Sequence, residues 1–223
     1  MMVRPERITR EKVIRAVLDS AFTKNAESIT VGDIAERLGK KKNSIYTHYS
    51  SRDLIIADTL RYCQLYLQHL SLVPQDLARV AAEQPAEVVL KSMVEQWFKK
   101  NESDPLLQIH SFIESEKYFS SAAMHIVTEF RARIAVQIQS VLSSLSEAEK
   151  IRSLKPVELK DYALIFASML CELVDMHVVR RKEEIRVNPE MGVDSLFGAL
   201  PFEDVHVQEA NRLVSRFVAL LSS

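Results

Sequence analysis

The chain contains little glycine and proline, with 4 Gly and 7 Pro among 223 residues. Leu, Ala, Glu, Lys and Val are abundant instead, a composition typical of a mostly helical protein. The length is sufficient for one or two domains with a substantial core. The composition therefore predicts an all-α fold.

Cysteine is equally scarce, with Cys63 and Cys171 only. In a reducing compartment a disulfide is not expected, and no paired spacing indicates a zinc site. The two residues are interpreted as small buried hydrophobes, with a redox sensor as the alternative.

Long apolar runs and secretion signals are missing as well. No run of 18 apolar residues exists, which predicts no membrane span. The first residues are charged and no apolar signal-peptide core follows, so we expect a cytoplasmic protein.

Catalytic motifs are the last absence. The sequence has no nucleophile elbow, no Gly-rich phosphate loop and no His-Glu metal motif. Glu114 and Glu116 lie two residues apart, on different faces of a helix, which disfavours a catalytic carboxylate pair. We predict no enzyme, no catalytic residue, no metal site and no cofactor.

What is present is a compact pattern over residues 30–54. Thr30 and Asp33 have the spacing of a capping box, and Gly39 stands where a helix end favours a left-handed residue. Three lysines and a short polar segment follow, in which Ile45 and Tyr49 share one face. Ser50 and Asp53 repeat the capping pattern before the next helix. A helix, a glycine turn and a short cationic helix predict a helix-turn-helix.

This stretch resembles the DNA-binding domain of the tetracycline-repressor (TetR) family. The matching residues, in order, are Ala21-Phe22, Ile34-Ala35, Gly39, Asn43-Ser44, Ile45-Tyr46, His48-Tyr49 and Arg52-Asp53-Leu54. The likeness covers roughly residues 9–62. It departs at Gly39-Lys40-Lys41, where the family has an aliphatic residue and then a serine cap. This departure predicts an exposed turn and a recognition helix without its usual cap.

DNA contact is expected from residues 42–49 and their neighbours. Lys40, Lys41 and Lys42 could neutralise phosphates, while Asn43, Ser44 and Thr47 have a suitable size to read base edges. The resemblance implies phosphate contacts for Tyr46, His48 and Arg52. Ile45 and Tyr49 are assigned to the core. In the N-terminal arm, Arg4 and Arg7 could reach DNA, although a disordered tail is the preferred interpretation.

Charge is distributed in a way that suits a polyanion partner. Residues 1–62 contain 12 Lys or Arg and 8 Asp or Glu, whereas the remaining 161 residues contain 17 and 22. A basic head and a slightly acidic body are typical of a DNA-binding protein with a separate regulatory region.

Helical periodicity predicts the remaining architecture. We expect a three-helix DNA-binding domain over 1–54, followed by a ligand-binding and dimerisation domain over 55–223, with a helix over about 51–73 linking them. The further helices are predicted over 85–101, 105–117, 119–146, 156–184 and 203–221, with a long loop over 185–202. Pro74 ends the linking helix, and no helix is predicted between it and residue 85.

Two further surfaces follow from the helix faces and the resemblance. The family places its small-molecule pocket among the middle helices, where the candidate lining residues are Tyr66, Met93, Trp97, His110, Phe112 and Phe130. Two long helices per chain would form a four-helix homodimer interface. Its candidate residues are Phe166, Met169, Leu170, Leu173, Leu213, Val214, Phe217 and Leu221. Burial within one chain is the alternative.

Together these patterns indicate a regulator that binds double-stranded operator DNA as a homodimer and is released by an unidentified small-molecule effector. Repression is the favoured direction, and activation stays open. A DNA-binding architectural protein without a ligand, or a helical small-molecule-binding protein with a vestigial DNA-binding domain, are the alternatives.

Overall fold

The computed structural model describes residues 7–21, 23–187 and 205–222. All regular elements in these ranges are helical. The α-helices are α1 (Arg10–Ser20), α2 (Val31–Arg37), α3 (Lys42–Tyr46), α4 (Arg52–Gln68), α5 (Leu77–Glu83), α6 (Ala86–Asn101), α7 (Leu106–Glu116), α8 (Ser121–Glu147), α9 (Pro156–Val187) and α10 (Val205–Leu221). A 3₁₀ turn over Ala26–Ser28 connects α1 to α2. The predicted all-α fold is confirmed.

The helices divide into two units. The first contains Met1–Gln68 and Leu107–Val127, and the second contains His69–Leu106 and Thr128–Ser223. The predicted boundary at residue 54 falls inside α4, which is one continuous helix and lies entirely in the first unit. α8 contributes residues 121–127 to the first unit and residues 128–147 to the second.

The first unit is built on α1. Its apolar stripe is fully buried at Val13 and Val17, and α1 packs against α4 and α2, while α2 packs against α3. Ile34 of α2 and Ile45 of α3 are also completely buried. A stripe at three- and four-residue spacing thus places α1 under the helix-turn-helix.

The second unit is centred on α6, α9 and α10, each of which contacts the other two. Phe166 of α9 and Phe217 of α10 meet edge to face, with ring centroids 4.9 Å apart. Arg131 of α8 and Asp175 of α9 form an ion pair at 2.5 Å. α5, which the sequence did not predict, packs on α6. Its Ala81 is buried, but one helix of seven residues offers too short a pattern to be recognised.

The starts of the other helices differ in their caps. Thr9 Oγ1 accepts from Lys12 N–H at the start of α1, whereas Pro85, at the cap position of α6, makes no side-chain capping hydrogen bond. The cap of α4 differs from the prediction, because the Leu54 N–H donates to Ser51 Oγ and not to Ser50. Phe22, the arm over residues 1–6 and the predicted loop beyond residue 187 lie outside the described residues.

α9 is long and apolar enough to cross a membrane by length and composition. In its most apolar part, 44% of the residues are buried inside the protein. A helix that contributes one face to a core passes the same test, so this feature is weak evidence for a membrane span.

Candidate nucleic-acid interface

The helix-turn-helix begins with a complete capping box. Asp33 N–H donates to Thr30 Oγ1 at 3.2 Å, and Thr30 N–H donates to Asp33 Oδ2 at 2.8 Å. Lys24 Nζ lies 2.7 Å from Asp33 Oδ1. The hydrogen bond from Lys24, followed by those from Thr30, lowers the pKa of Asp33 from 3.8 to about 2. The predicted start of α2 is confirmed.

The turn between α2 and α3 is made by Gly39. Its φ of +60° is left-handed, and nothing approaches the position of a missing Cβ within 4 Å. Gly39 N–H donates to the Glu36 carbonyl, and the next N–H, from Lys40, donates to the Ala35 carbonyl. These bonds satisfy the last carbonyls of α2, as a glycine helix end requires.

α3 starts without a side-chain cap. Lys41 occupies the cap position with extended backbone (φ −82°, ψ 148°), and its side chain makes no capping hydrogen bond. The uncapped recognition helix was predicted from the replacement of serine. Free N–H groups at this end are a favourable place for a phosphate oxygen.

The buried face of α3 and the following turn anchors the helix. Ile45 is fully buried and Tyr49 is 5% exposed. Tyr49 Oη donates to Asp58 Oδ2 of α4 at 2.7 Å, and Arg10 of α1 lies over the Tyr49 ring. Burial, and then the bond to Asp58, raise the pKa of Tyr49 well above its usual range. The assignment of Ile45 and Tyr49 to the core is confirmed.

The opposite face carries most of the predicted DNA contacts. Exposed side chains are Lys41, Lys42, Asn43, Tyr46 and Thr47; Lys40, Ser44 and His48 are half-buried. The Tyr46 side chain is 51% exposed. Thr47 Oγ1 donates to the Ser44 carbonyl at 2.8 Å, so its hydroxyl is already engaged along the helix.

Lys42 reaches back across α2. A Cβ built at Gly32 would stand 2.9 Å from Lys42 Cε and 3.1 Å from its Nζ. The lack of a side chain at residue 32 therefore allows the lysine to lie over the first turn of α2. Among the described residues, no carboxylate lies within ion-pair distance of Lys40, Lys41 or Lys42.

Arg52 has a different environment from the one that the resemblance implied. Its Nε donates to the Ile29 carbonyl at 2.7 Å, and one terminal nitrogen donates to the Ala26 carbonyl. The other terminal nitrogen lies 3.4 Å from Asp53. The guanidinium thus supports the 3₁₀ turn and the entry to α2. This role could not be predicted from local sequence patterns, because the partners are backbone atoms 23 and 26 residues away.

The six candidate ligand residues are divided equally between the units. Tyr66, His110 and Phe112 belong to the first unit, while Met93, Trp97 and Phe130 belong to the second. Of the latter, Trp97 and Phe130 stack with centroids 6.1 Å apart, and all three are buried. His110 and Phe112 are buried on α7. Tyr66 is half-buried, and its ring centroid lies 6.2 Å from that of Tyr62.

A groove of about 370 Å³ lies elsewhere, where the end of α1 faces α2. Its walls are Ser20, Thr23, Lys24, Asp33, Glu36 and Arg37. None of the six candidate ligand residues contributes to it. Its charges are of both signs, and Lys24 and Asp33 pair with each other there.

Six of the eight candidate dimer residues agree with the alternative of burial within one chain. Phe166, Leu170, Leu173, Val214, Phe217 and Leu221 are buried inside the single chain. Met169 and Leu213 are half-buried. The exposed apolar residues of α9 lie on its other side. They are Val157, Leu164, Ile165, Met176, Val179 and Val187, each at least 49% exposed, and α10 adds Val205 and Leu220.

Metal and cysteine chemistry find no support in the described ranges. No group of three or more His, Cys, Asp or Glu side chains there could hold a metal ion. Cys63 is free and fully buried, and its burial raises the pKa of the thiol far above the usual range. Cys171 is half-buried. A buried neutral thiol is a poor nucleophile, which disfavours Cys63 as a redox sensor.

No protein-family model and no curated protein matches the chain. Solved structures do match over almost its whole length. SmeT, the repressor of the Stenotrophomonas maltophilia multidrug efflux pump SmeDEF, is 13% identical, with 99% of this chain and 93% of that chain covered and a TM-score of 0.56.

Two further structures carry the TetR family name. A putative TetR-family transcriptional regulator from Mesorhizobium loti is 13% identical, with 96% of each chain covered and a TM-score of 0.59. A TetR transcription regulator from Haloarcula marismortui is 10% identical, with 96% of this chain and 98% of that chain covered and a TM-score of 0.59. The chain has the fold of these regulators, which confirms the resemblance at the level of fold.

Proposed function

We propose that the chain is a DNA-binding transcriptional regulator, in the first instance a repressor, that a small-molecule effector releases from a palindromic operator. The observation that carries this proposal is the exposed face of α3. A helix held down by Ile45 and Tyr49 presents Lys41, Lys42 and Tyr46 to solvent. A short helix with this division between a buried and a polar face suits the major groove of DNA.

The chemistry of that face matches a nucleic acid. Lys41 and Lys42 lie at the uncapped start of α3, where ammonium groups and free N–H groups can share a phosphate. Asn43 is exposed and has an amide that can pair with adenine in the major groove. Tyr46 and His48 would contact the backbone, as the resemblance implies. We place Arg52 outside this contact set, because its guanidinium is engaged by the Ala26 and Ile29 carbonyls.

A homodimer completes the proposed binding unit. One α3 offers few base contacts, and two copies related by a twofold axis would read two half-sites. The exposed stripe of α9, with Leu164, Ile165, Met176 and Val179, is the surface we propose for the second copy. These positions recur at helical spacing, and large apolar side chains in such a row favour association.

The effector step rests on the fold and on relatives of the same architecture. SmeT is named as the repressor of a multidrug efflux pump, which supports repression as the direction for this chain. Release would be a population shift, in which the effector binds better to a conformation with weaker affinity for DNA. A coupling of about 1–3 kcal/mol corresponds to roughly a 5- to 150-fold loss of affinity.

The test is binding of the purified protein to DNA from around its own gene, measured as a function of salt. We expect saturable binding to a palindrome. The slope of log affinity against log salt concentration should be roughly −0.9 for each phosphate that the protein neutralises. Binding that ignores sequence would indicate an architectural protein. No binding at low salt by a folded, ligand-stripped protein would contradict the regulator and favour a vestigial DNA-binding domain.

The residue-level test is Tyr46→Ala. Each of the two half-sites would lose a hydrogen bond to a charged phosphate, which contributes about 1.5–3 kcal/mol. We therefore expect about a 100-fold or larger loss of operator affinity. The thermal midpoint should stay unchanged, because the ring is 51% exposed. Tyr118→Ala is the matched control, since Tyr118 is 80% exposed and lies outside the helix-turn-helix. Equal affinity in the two variants would remove Tyr46 from the interface.

The dimer has its own test. Ile165→Glu places a carboxylate twice in the proposed twofold interface, so sedimentation should show a dissociation constant at least about tenfold higher. Val136→Glu on α8 is the control, because Val136 is 62% exposed and lies on a different helix. Dissociation by both variants, or by neither, would place the second copy elsewhere.

A further inference from the structure

The connection between α1 and α2 is held more tightly than its length suggests. Ala26 is 4% exposed and Ile29 is fully buried. Asn25 Oδ1 accepts from Ser28 N–H at 3.0 Å, which caps the 3₁₀ turn. The residue after Ile29 is Thr30, the cap of α2. The position of this turn therefore sets where α2 begins.

A carboxylate from a distant helix binds this turn. Glu116, the last residue of α7, is only 7% exposed, and its Oε1 accepts the Ala26 N–H at 2.9 Å. Ninety residues of sequence separate the two groups. A buried carboxylate is costly without a donor, and the Ala26 amide would be a buried unpaired donor without the carboxylate. Each group thus requires the other.

Arg52 binds the carbonyl group of the same residue, Ala26. It donates to the Ala26 carbonyl and to the Ile29 carbonyl. Ala26 consequently has its N–H fixed from α7 and its carbonyl fixed from α4. A short segment with both backbone groups bound by charged side chains has little freedom to shift, because charge-assisted hydrogen bonds are stronger than neutral ones.

We propose that Glu116 is a positioning residue for DNA binding: through the Ala26 amide, α7 holds the 3₁₀ turn, and with it α2 and α3, in the arrangement that reads DNA. The readout of this role rests on the proposed function. A displacement of the last turn of α7 by about 1 Å would lengthen the 2.9 Å bond beyond hydrogen-bond distance and release the turn. Movement of α7 is then a route by which the α2–α3 pair is repositioned without contact to α3 itself.

Another carboxylate of α7 has a different partner. Glu114, on the same helix, pairs with Lys117 within its own chain segment, at 2.5 Å and with a half-buried side chain. It thus provides a control in which a carboxylate is lost from α7 but not from the turn. Glu116→Met removes the acceptor at similar volume, and Glu116→Gln retains an accepting oxygen.

The first experiment measures amide hydrogen exchange in the full-length chain without DNA. Glu116→Met should accelerate exchange at Ala26 and through residues 26–46 by about tenfold, the value of one lost charge-assisted hydrogen bond. Exchange in α1 and α4 should stay as in the wild type. Glu116→Gln and Glu114→Met should both retain wild-type protection. Uniform acceleration over α1, α2 and α4 would mean general stabilisation and would overturn the proposal, as would unchanged exchange at Ala26.

The second experiment measures affinity for the operator fragment. Glu116→Met should bind about tenfold more weakly than Glu114→Met, with the same salt slope, because no phosphate contact is removed. Equal affinities would overturn the positioning role. Where the methionine variant does not fold, Ala26→Pro removes the donor instead, at the first position of a helical turn that tolerates proline. Retained affinity in that folded variant would likewise contradict the role.

The two experiments separate this inference from the proposed function. Failure of the wild-type chain to bind DNA, with the expected local change in exchange, would contradict the regulator while retaining the tie between α7 and the turn. Wild-type DNA binding that Glu116→Met leaves intact would retain the regulator and remove Glu116 from it.

Discussion

Two regions of the helix-turn-helix carry positive charge in different environments. On α3, Lys41 and Lys42 are exposed, and no carboxylate of the described residues pairs with them. At the connection between α1 and α2, Lys24 bonds Asp33 at 2.7 Å, and Arg52 bonds two backbone carbonyls. The first region has charge available for a partner, while the second region uses charge to hold its own backbone.

This difference changes how the basic character of the first 62 residues is understood. A count of Lys and Arg treats every cation as a candidate for DNA. The partners show that Lys24 and Arg52 instead stabilise the capped start of α2 and the turn before it. The charge that is available to phosphates is thereby concentrated at the start of α3, where orientation relative to the groove matters most.

The largest expected effect that separates the two regions comes from Arg52→Ala. The change removes the guanidinium donor from both the Ala26 and Ile29 carbonyls, the Ala26 carbonyl keeps only the Ile29 N–H at 3.3 Å, and Ile29 is fully buried. We expect the free energy of unfolding to fall by about 2 kcal/mol, within the range for hydrogen bonds to charged groups. Urea denaturation followed by circular dichroism measures it.

Arg52→Lys sharpens this prediction. An ammonium retains the charge but lacks the planar fork that reaches two carbonyls, so most of the loss of stability should persist. Wild-type stability in both variants, together with a smaller salt slope, would show that Arg52 contacts phosphate as the resemblance implied. The comparison between the two regions would then fail.

Local chemistry explains why the helix-turn-helix could be predicted from the sequence. The capping box of Thr30 and Asp33 and the left-handed turn at Gly39 depend on residues within three or four positions of one another. The absence of a cap on α3 followed from Lys41 itself. Arg52 and Glu116 could not be placed in this way, because their partners lie 23 to 90 residues away in the sequence.

The second unit shows a different limit. α9 has apolar side chains around most of its circumference, so periodicity predicts a long helix but not which side faces the core. Phe166 and Leu170 were predicted to meet a partner and are buried in the chain, whereas Leu164 and Ile165 are 57% exposed. Only the packing of α6 and α10 against α9 distinguishes the two sides.

A second prediction concerns the region with available charge. Lys42→Ala should leave the unfolding free energy unchanged, because the side chain is exposed and makes no ion pair among the described residues. Operator affinity should fall for all sequences alike, and the salt slope should decrease by about one for each half-site. Titration of a labelled operator at several salt concentrations provides both values.

Lys160→Ala is the control for that prediction, because Lys160 is an exposed lysine of α9 in the second unit. Its salt slope should equal that of the wild type. An unchanged slope for Lys42→Ala would place Lys42 away from the phosphates and leave Lys41 as the main contact at the start of α3.

The smallest expected effect concerns acid. The pKa of Asp33 is lowered from 3.8 to about 2, first by the bond from Lys24 and then by the bonds from Thr30. A lowered pKa in the folded state means that this contribution to stability is complete above about pH 4 and is lost as the pH falls through about 2. The urea midpoint of Asp33→Asn should therefore depend less on pH than that of the wild type over this interval. Asp76→Asn is the control, since Asp76 is exposed and its Oδ2 lies 3.5 Å from a terminal nitrogen of Arg79 at the start of α5. An identical pH dependence for the wild type and Asp33→Asn would show that the pair with Lys24 does not stabilise the start of α2, and that the charge in this region is as available as the charge on α3.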